Sequence, residues 1–363
     1  MIRSISFILL LFIFSACDNS QGGQPKDETT DTTSSILDPT QERDPRMKEL
    51  DSLNSIVAQD PNNVDALVAR GRFHMNQRSL NYAIADAKAA KSLDSTRADV
   101  LLLWGDVHFV NNETRTSKEA WEECIRQDPK NIDCRLKLAE LYNIVKEYQT
   151  STRYTNEVIE LDDRNATAYF IKGLNIRDGK GDTATSLQYL QRAIDLDPNY
   201  QAALDMAAVM SAAVGDPIAE AYYKRLLEID PNNGNVWYNL GMFYQERGMW
   251  NESIESFTKA AQINPKDAES YFNLGYIHLQ LQVYQVAADY FTKAIQARDG
   301  YNHRGYYGRG YAYEMLGDVT RAEQDYRKAL ELNPQHQPSR IALDRLKRGD
   351  QMVREDQRQK KGQ

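Results

Sequence analysis

From residue 46 onward the chain is a succession of amphipathic runs, and many of them stop at the same pair of residues. Asp-Pro or Asn-Pro recurs at Asp60-Pro61, Asp128-Pro129, Asp197-Pro198, Asp230-Pro231, Asn264-Pro265 and Asn333-Pro334. Proline has no backbone N–H to donate and its ring crowds the preceding turn, so each pair predicts the end of a helix. Setting the runs beneath one another gives a period of about 34 residues. Eight units result: 64–97, 98–131, 132–165, 166–200, 201–233, 234–267, 268–302 and 303–336.

Two columns of these units hold only small residues. The eighth position carries Gly71, Gly105, Ala139, Gly173, Ala208, Gly241, Gly275 and Gly310. The twentieth, allowing one-residue indels, carries Ala83, Ser117, Ser151, Ser186, Ala219, Ser253, Ala287 and Ala322. Small side chains at fixed positions are what two helices need where their backbones cross closely. Trp121, Leu190, Tyr223, Phe257, Phe291 and Tyr326 form a further column that fills the space around the crossing. Ala87 and Thr155 are small in that column, which predicts looser packing in units 64–97 and 132–165.

The run Trp237-Tyr238-Asn239-Leu240-Gly241-Met242-Phe243-Tyr244, followed by Ser253, Phe257, Ala260 and Pro265, resembles the tetratricopeptide repeat family. The resemblance extends over essentially everything from residue 46 to 347. It implies an all-α protein, a right-handed superhelical α-solenoid of about eight helix-turn-helix units with capping helices. Residues 46–58, with Leu50, Leu53, Ile56 and Val57 on one face, read as an orphan second helix, and 338–347 as a terminal cap. A stack needs such caps because an end repeat otherwise exposes its apolar face. Residues 348–363 form a polar tail, expected to fray or stay disordered. Unit 166–200 has one extra residue around Gly179-Lys180-Gly181-Asp182, and unit 201–233 is one residue short at the equivalent turn. Turns tolerate such changes, so both read as loop drift.

The first 45 residues have a different character. Arg3 precedes the apolar run Ile5 to Phe14, which is short for a bilayer span, and Ser15, Ala16 and Cys17 follow. This resembles a bacterial lipoprotein signal, with Phe14 where that family usually has Leu. It implies removal of residues 1–16, lipidation of Cys17 and residence in the bacterial cell envelope, on either membrane. Residues 18–45 are rich in Gln, Gly, Pro, Asp, Glu, Thr and Ser and bury too little to fold. As a flexible linker they span about 30 Å.

Composition narrows the function. The net charge is −8, from 52 acidic against 44 basic residues, and nucleic-acid binding calls for a cationic surface instead. Three cysteines are too few for a disulfide scaffold or a Cys-rich zinc module. His74, His108 and His278 share the eleventh position of their units, where the repeat family prefers Tyr, and read as packing residues. Helices 8–10 Å apart hold such residues too far apart to share one ion. Phosphate loops, HExxH motifs and nucleophile elbows do not occur. The expectation is therefore neither an enzyme nor a cofactor or metal carrier. Cys124 and Cys134 fall at positions that, in the repeat family, face each other across a unit junction. They read either as a disulfide, if the chain is exported, or as two buried thiols.

In the resembling family the second, fifth, ninth and twelfth positions line a concave groove. Here those positions, with Asn239 and Asn273 at the sixth, bring together Tyr238, Met242, Phe272, Tyr276, Leu279, Arg304, Tyr307 and Tyr311. Aromatic-rich patches of this kind suit protein interfaces. Unit 166–200 adds Thr167, Phe170, Leu174 and Arg177, and the early units add an acidic rim of Asp65, Asp99, Asp106, Asp133 and Glu140. The expected partner is an unidentified protein or extended peptide segment, with the lipid anchor on a membrane. A glycan or peptidoglycan is the alternative ligand, because aromatic walls also stack on sugar rings.

Overall fold

A computed structural model describes residues 45–297 and 303–361, with side chains as far as residue 349. Cys17, the segment 1–16 and the linker up to residue 44 lie outside the described residues. The chain divides into two bodies, Met1–Ser52 and Leu53–Gln363. What is described of the first is the opening half of α1 (Pro45–Gln59).

The second body is a row of helical hairpins. It begins with α2 (Val64–Asn76) and α3 (Leu80–Leu93), then α4 (Ala98–Val110) and α5 (Thr114–Gln127). Next come α6 (Ile132–Ile144) with α7 (Tyr148–Leu161), and α8 (Ala166–Lys180) with α9 (Thr183–Leu196). The row continues through α10 (Gln201–Ala213) with α11 (Ile218–Ile229), and α12 (Gly234–Glu246) with α13 (Trp250–Ile263). It ends with α14 (Ala268–Gln280) and α15 (Tyr284–Ala297), α16 (His303–Met315) and α17 (Val319–Leu332), and the long α18 (Gln337–Lys361). No strand occurs among the described residues.

The Asp-Pro signature is the chemistry of the junction between hairpins. Asp128 leaves α5 in an extended conformation, as a residue before proline prefers, and its Oδ1 accepts from the Lys130 N–H. Asp60, Asp197, Asp230, Asn264 and Asn333 make the same turn, and Asp94 and Asp162 make it without a proline. A side-chain cap then starts many of the next helices. Asn63, Asn131, Asn165 and Asn233 each accept from the backbone N–H three residues on.

The small columns sit where the two helices of a hairpin cross. A Cβ at Gly105 would lie 2.2 Å from Trp121 Nε1, and one at Gly241 2.9 Å from Phe257. The serines opposite do more than leave room. Ser151, Ser186 and Ser253 each donate to the carbonyl of the eighth residue across the crossing, Ala139, Gly173 and Gly241, at 2.7–2.8 Å. The expected looseness of the first hairpin does not materialise. The space above Gly71 is taken by Leu103 of the next hairpin, whose Cδ2 would be 2.7 Å from a Cβ there, and Ala87 is fully buried. Thr155 is also fully buried, in a hairpin whose column-eight residue, Ala139, already carries a Cβ.

Each hairpin turn contains one residue in the left-handed region. It is glycine at Gly181, Gly215, Gly248 and Gly317, but Arg78, Asn112, Lys146 and Gln282 elsewhere. Beyond sequence neighbours, the substantial helix contacts are α2 with α4, α6 with α8 and α14 with α16. All are between first helices, so the row is tighter on the first-helix side. Cys124 on α5 and Cys134 on α6 are joined as a disulfide across the junction between two hairpins, both fully buried, with Cα atoms 6.4 Å apart.

Three expectations need correction. The cap helix is longer than residues 338–347, because α18 runs on to Lys361. Ala342 and Leu343 seat it on Tyr326 and Ala322. The extra residue of unit 166–200 is not loop drift: it lengthens α8 to 15 residues, where the other seven first helices have 13. Ile56, assigned to the packed face of the first helix, is 40% exposed.

Candidate protein-binding groove

The groove residues of the last three repeats separate by column. At the fifth position, each aromatic packs on the large residue of its own second helix. Tyr238 meets Phe257 and Phe272 meets Phe291, both edge-on at 5.5 Å, and Tyr307 lies at 5.7 Å from Tyr326. Phe272 is buried, with the Arg304 guanidinium 4.4 Å from its ring centre. Tyr307 also meets His336 edge-on at 5.2 Å. These three side chains are hairpin core first and groove lining second, and burial raises the Tyr238 and Tyr307 phenols above their ordinary range.

The asparagines are also engaged inward. Asn273 is buried, and its amide donates to the Tyr238 hydroxyl at 3.3 Å and approaches Met242 Sδ at 3.6 Å. Asn239, Met242, Leu279 and Tyr311 are half-buried. Tyr276 is 39% exposed, and Arg304 is exposed too. The accessible part of the expected patch is thus Tyr276 and Arg304, with Asn239 and Tyr311 partly accessible. Glu314, at the twelfth position of the last unit, is tied to the end cap: Arg345 on α18 donates to both its oxygens at 2.7–2.8 Å and the Tyr326 hydroxyl donates at 2.6 Å.

The acidic rim of the early repeats is partly neutralised. Arg97 bridges Asp65 and Asp99 at 2.6 Å, and Lys137 pairs with Glu140 at 3.0 Å. Asp133 stays exposed. Asp106 differs from all of these. Its Oδ1 is buried without a hydrogen-bond partner, and burial pushes its carboxyl up to about 6 against the pull of Lys137, the Trp121 indole and Arg72.

The histidines of the eleventh column pack on aromatic rings, His74 on Tyr82 at 5.2 Å, His108 on Trp104 at 4.1 Å and His278 on Tyr290 at 5.3 Å. Periodicity did not bring out one pair of columns. At the seventh and twenty-third positions of the first and last repeats, Arg70 forks onto Asp86 at 2.7–3.0 Å and Arg309 onto Asp325 at 2.8 Å, with both carboxylates buried. A charge at a position that is apolar in most units was the available signal.

Family models for the tetratricopeptide repeat match residues 166–200, 233–300 and 303–336. A curated relative from Hordeum vulgare, a probable UDP-N-acetylglucosamine–peptide N-acetylglucosaminyltransferase SPINDLY, is 27% identical over 113 residues. That match covers 29% of this chain and only 12% of that protein. Among solved structures, the C-terminal part of a TPR repeat-containing protein from Cytophaga hutchinsonii is similar at a TM-score of 0.58 and 16% identity. It covers 66% of this chain and 98% of its own. A tetratricopeptide repeat protein from Parabacteroides merdae aligns at a TM-score of 0.45 and 15% identity over 69% of this chain and 98% of that one. Residues 166–200, 233–300 and 303–336 are accordingly tetratricopeptide repeats, and the whole row of hairpins is stacked as an α-solenoid of that kind of fold.

Proposed function

We propose that this protein is a non-enzymatic scaffold, tethered to a bacterial envelope membrane through lipidated Cys17, that binds a partner protein or an extended peptide segment along its first helices. The observation that carries the reading is the solvent-accessible Tyr276 on α14, the helix whose Phe272 ring carries the exposed Arg304 guanidinium at 4.4 Å, on the first-helix side of a repeat stack. An aromatic ring next to a guanidinium is the composition of interface hot spots. The buried Cys124–Cys134 disulfide supports export, since such bonds persist in oxidising compartments.

The test uses the full-length protein. A photo-crosslinking residue at position 276 is expected to capture a partner in cells, and Tyr276→Ala with Tyr311→Ala to abolish that partner in pull-downs. Tyr307 is unsuited to this test because it supports the hairpin core. Full partner retention by a double variant with an unchanged melting curve ends the assignment. Electrophoretic mobility and mass of the membrane fraction, compared with Cys17→Ser, check the anchor: an unlipidated wild-type chain overturns it.

A further inference from the structure

Repeat 166–200 departs from its neighbours at three places, and all three line one cleft. The cleft, about 920 Å³ in volume, lies between α7 and α9 across the end of α8. Its α8 residues are Lys172, Asn175, Ile176, Gly179 and Lys180, a different stripe from Thr167, Phe170, Leu174 and Arg177 on the groove side. The first departure is the lengthened α8, whose added end carries Gly179 and Lys180. A Cβ at Gly179 would come within 3.1 Å of the Tyr148 ring, so the glycine lets that ring lie against the helix.

The second is Asn175. The tenth position is otherwise Phe73, Val107, Leu141, Met210, Phe243, Ile277 or Ala312. Asn175 is 2% exposed; it accepts from Asn143 Nδ2 and donates to Ser151 Oγ, both at 2.9 Å, which in turn donates to Ala139 O. A polar relay thus underlies the cleft where the other repeats have hydrocarbon.

The third is Lys172, at the position of Arg70 and Arg309. Those two arginines reach back to the preceding helix, at Asn54 and Thr292, and forward to a buried carboxylate on their own second helix, Asp86 and Asp325. Lys172 makes the same backward contact, donating to Asn156 at 2.7 Å. In the forward direction it finds the ring of Tyr189 at 4.8 Å instead of a carboxylate. Lys146 and Lys180 line the same cleft. Among the described residues none of these three lysines is in an ion pair. The acids nearby are Glu147, also in the lining, and Asp182, the cap of α9, which feels Lys180.

We propose that this cleft is a binding site for a small oxyanion-bearing ligand, a phosphate or carboxylate on a sugar-sized frame. The ligand's anionic group takes the place that Asp86 and Asp325 fill beside their arginines. Lys172 provides the central charge, Lys180 and Lys146 add flanking charge, and the volume admits more than an inorganic ion. The site is independent of the groove reading, so either can fail without the other.

Calorimetric titration of the full-length protein in low-salt buffer tests it, with inorganic phosphate, glucose 6-phosphate and citrate as probes and glucose as the neutral control. Saturable binding of at least one anion, and none of glucose, is expected. Lys172→Met and Lys180→Met should each weaken it about tenfold or more, Lys172→Arg should retain it, and Lys266→Met, an exposed lysine elsewhere, should leave it unchanged. Tighter glucose 6-phosphate binding assigns a sugar phosphate, and tighter citrate binding a polycarboxylate. Lys180 is exposed and its replacement does not threaten the fold. Absence of saturable binding by every anion, or binding that survives in Lys180→Met and Lys172→Met, overturns the proposal.

Discussion

The first and last repeats place an arginine at the seventh position and close it with a buried aspartate, whereas repeat 166–200 places a lysine there and leaves the carboxylate out. The backward contact is the same in all three. Besides lysine for arginine, what differs is the residue on the second helix, Asp86 or Asp325 against Tyr189. The difference teaches that a cation at this crossing is structural when its counter-ion is built in and available for recognition when it is not. A buried fork-to-carboxylate pair is geometrically exacting, and removing one partner leaves an uncompensated charge.

Breaking the closed version has the largest expected effect. Asp325→Ala strands Arg309 against Thr292 and should cost about 3 kcal/mol or more in equilibrium urea unfolding. A loss below ~1 kcal/mol would show that the pair is as dispensable as a surface bridge. Replacing both partners with well-packed apolar residues, Arg309→Leu with Asp325→Tyr, copies the pair Leu274 and Tyr290 of the preceding repeat and should recover most of the loss.

A buried carboxyl whose Oδ1 has no hydrogen-bond partner is the converse case, and Asp106 supplies it. Its folded-state pKa of about 6 lies above the ordinary 3.8. The protonated form is thus favoured by folding, so its contribution to stability is complete below about pH 4 and lost as pH rises through about 6. Asp106→Asn should stabilise the protein at pH 7.5 by on the order of 2 kcal/mol and by progressively less toward pH 4. Thermal melts of both proteins across that range check it, and parallel pH profiles would refute the assignment.

The smallest effect on stability, and the sharpest test of the comparison, is to close the open repeat. Tyr189→Asp gives Lys172 the missing counter-ion at the cost of the ring stacked on Tyr169. The melting temperature should move by only a few degrees, because the two changes oppose each other. Any stabilisation of the wild-type melt by glucose 6-phosphate should disappear in this variant. Persistence of that ligand effect would mean the cation is not what the ligand meets.

The sequence carried the hairpin architecture well because it is written in steric exclusion. A column that tolerates only Gly, Ala or Ser marks a backbone crossing whatever surrounds it, and the Asp-Pro pairs mark junctions through a local turn. Depth was less legible. Position in a repeat says which face a side chain takes, not whether a neighbour from the second helix covers it. Tyr238, Phe272 and Tyr307 shared a groove column and all packed onto Phe257, Phe291 and Tyr326. Tyr276, at the ninth position, meets no such aromatic partner among the described residues and kept its exposure. The extra residue of repeat 166–200 was visible as an insertion, but its place in α8 and its meaning depended on three-dimensional coincidence with Lys172 and Asn175.

The covalent link between α5 and α6 has a mechanical consequence. A row of hairpins held only by nearest neighbours peels from its free ends, one unit at a time. Cys124 and Cys134 rivet two adjacent units, so a pull transmitted along the backbone bypasses the residues between them and loads the sulfur bridge instead. The array then behaves under tension as two reels on a fixed axle, each able to pay out chain while the joint between the second and third repeats holds.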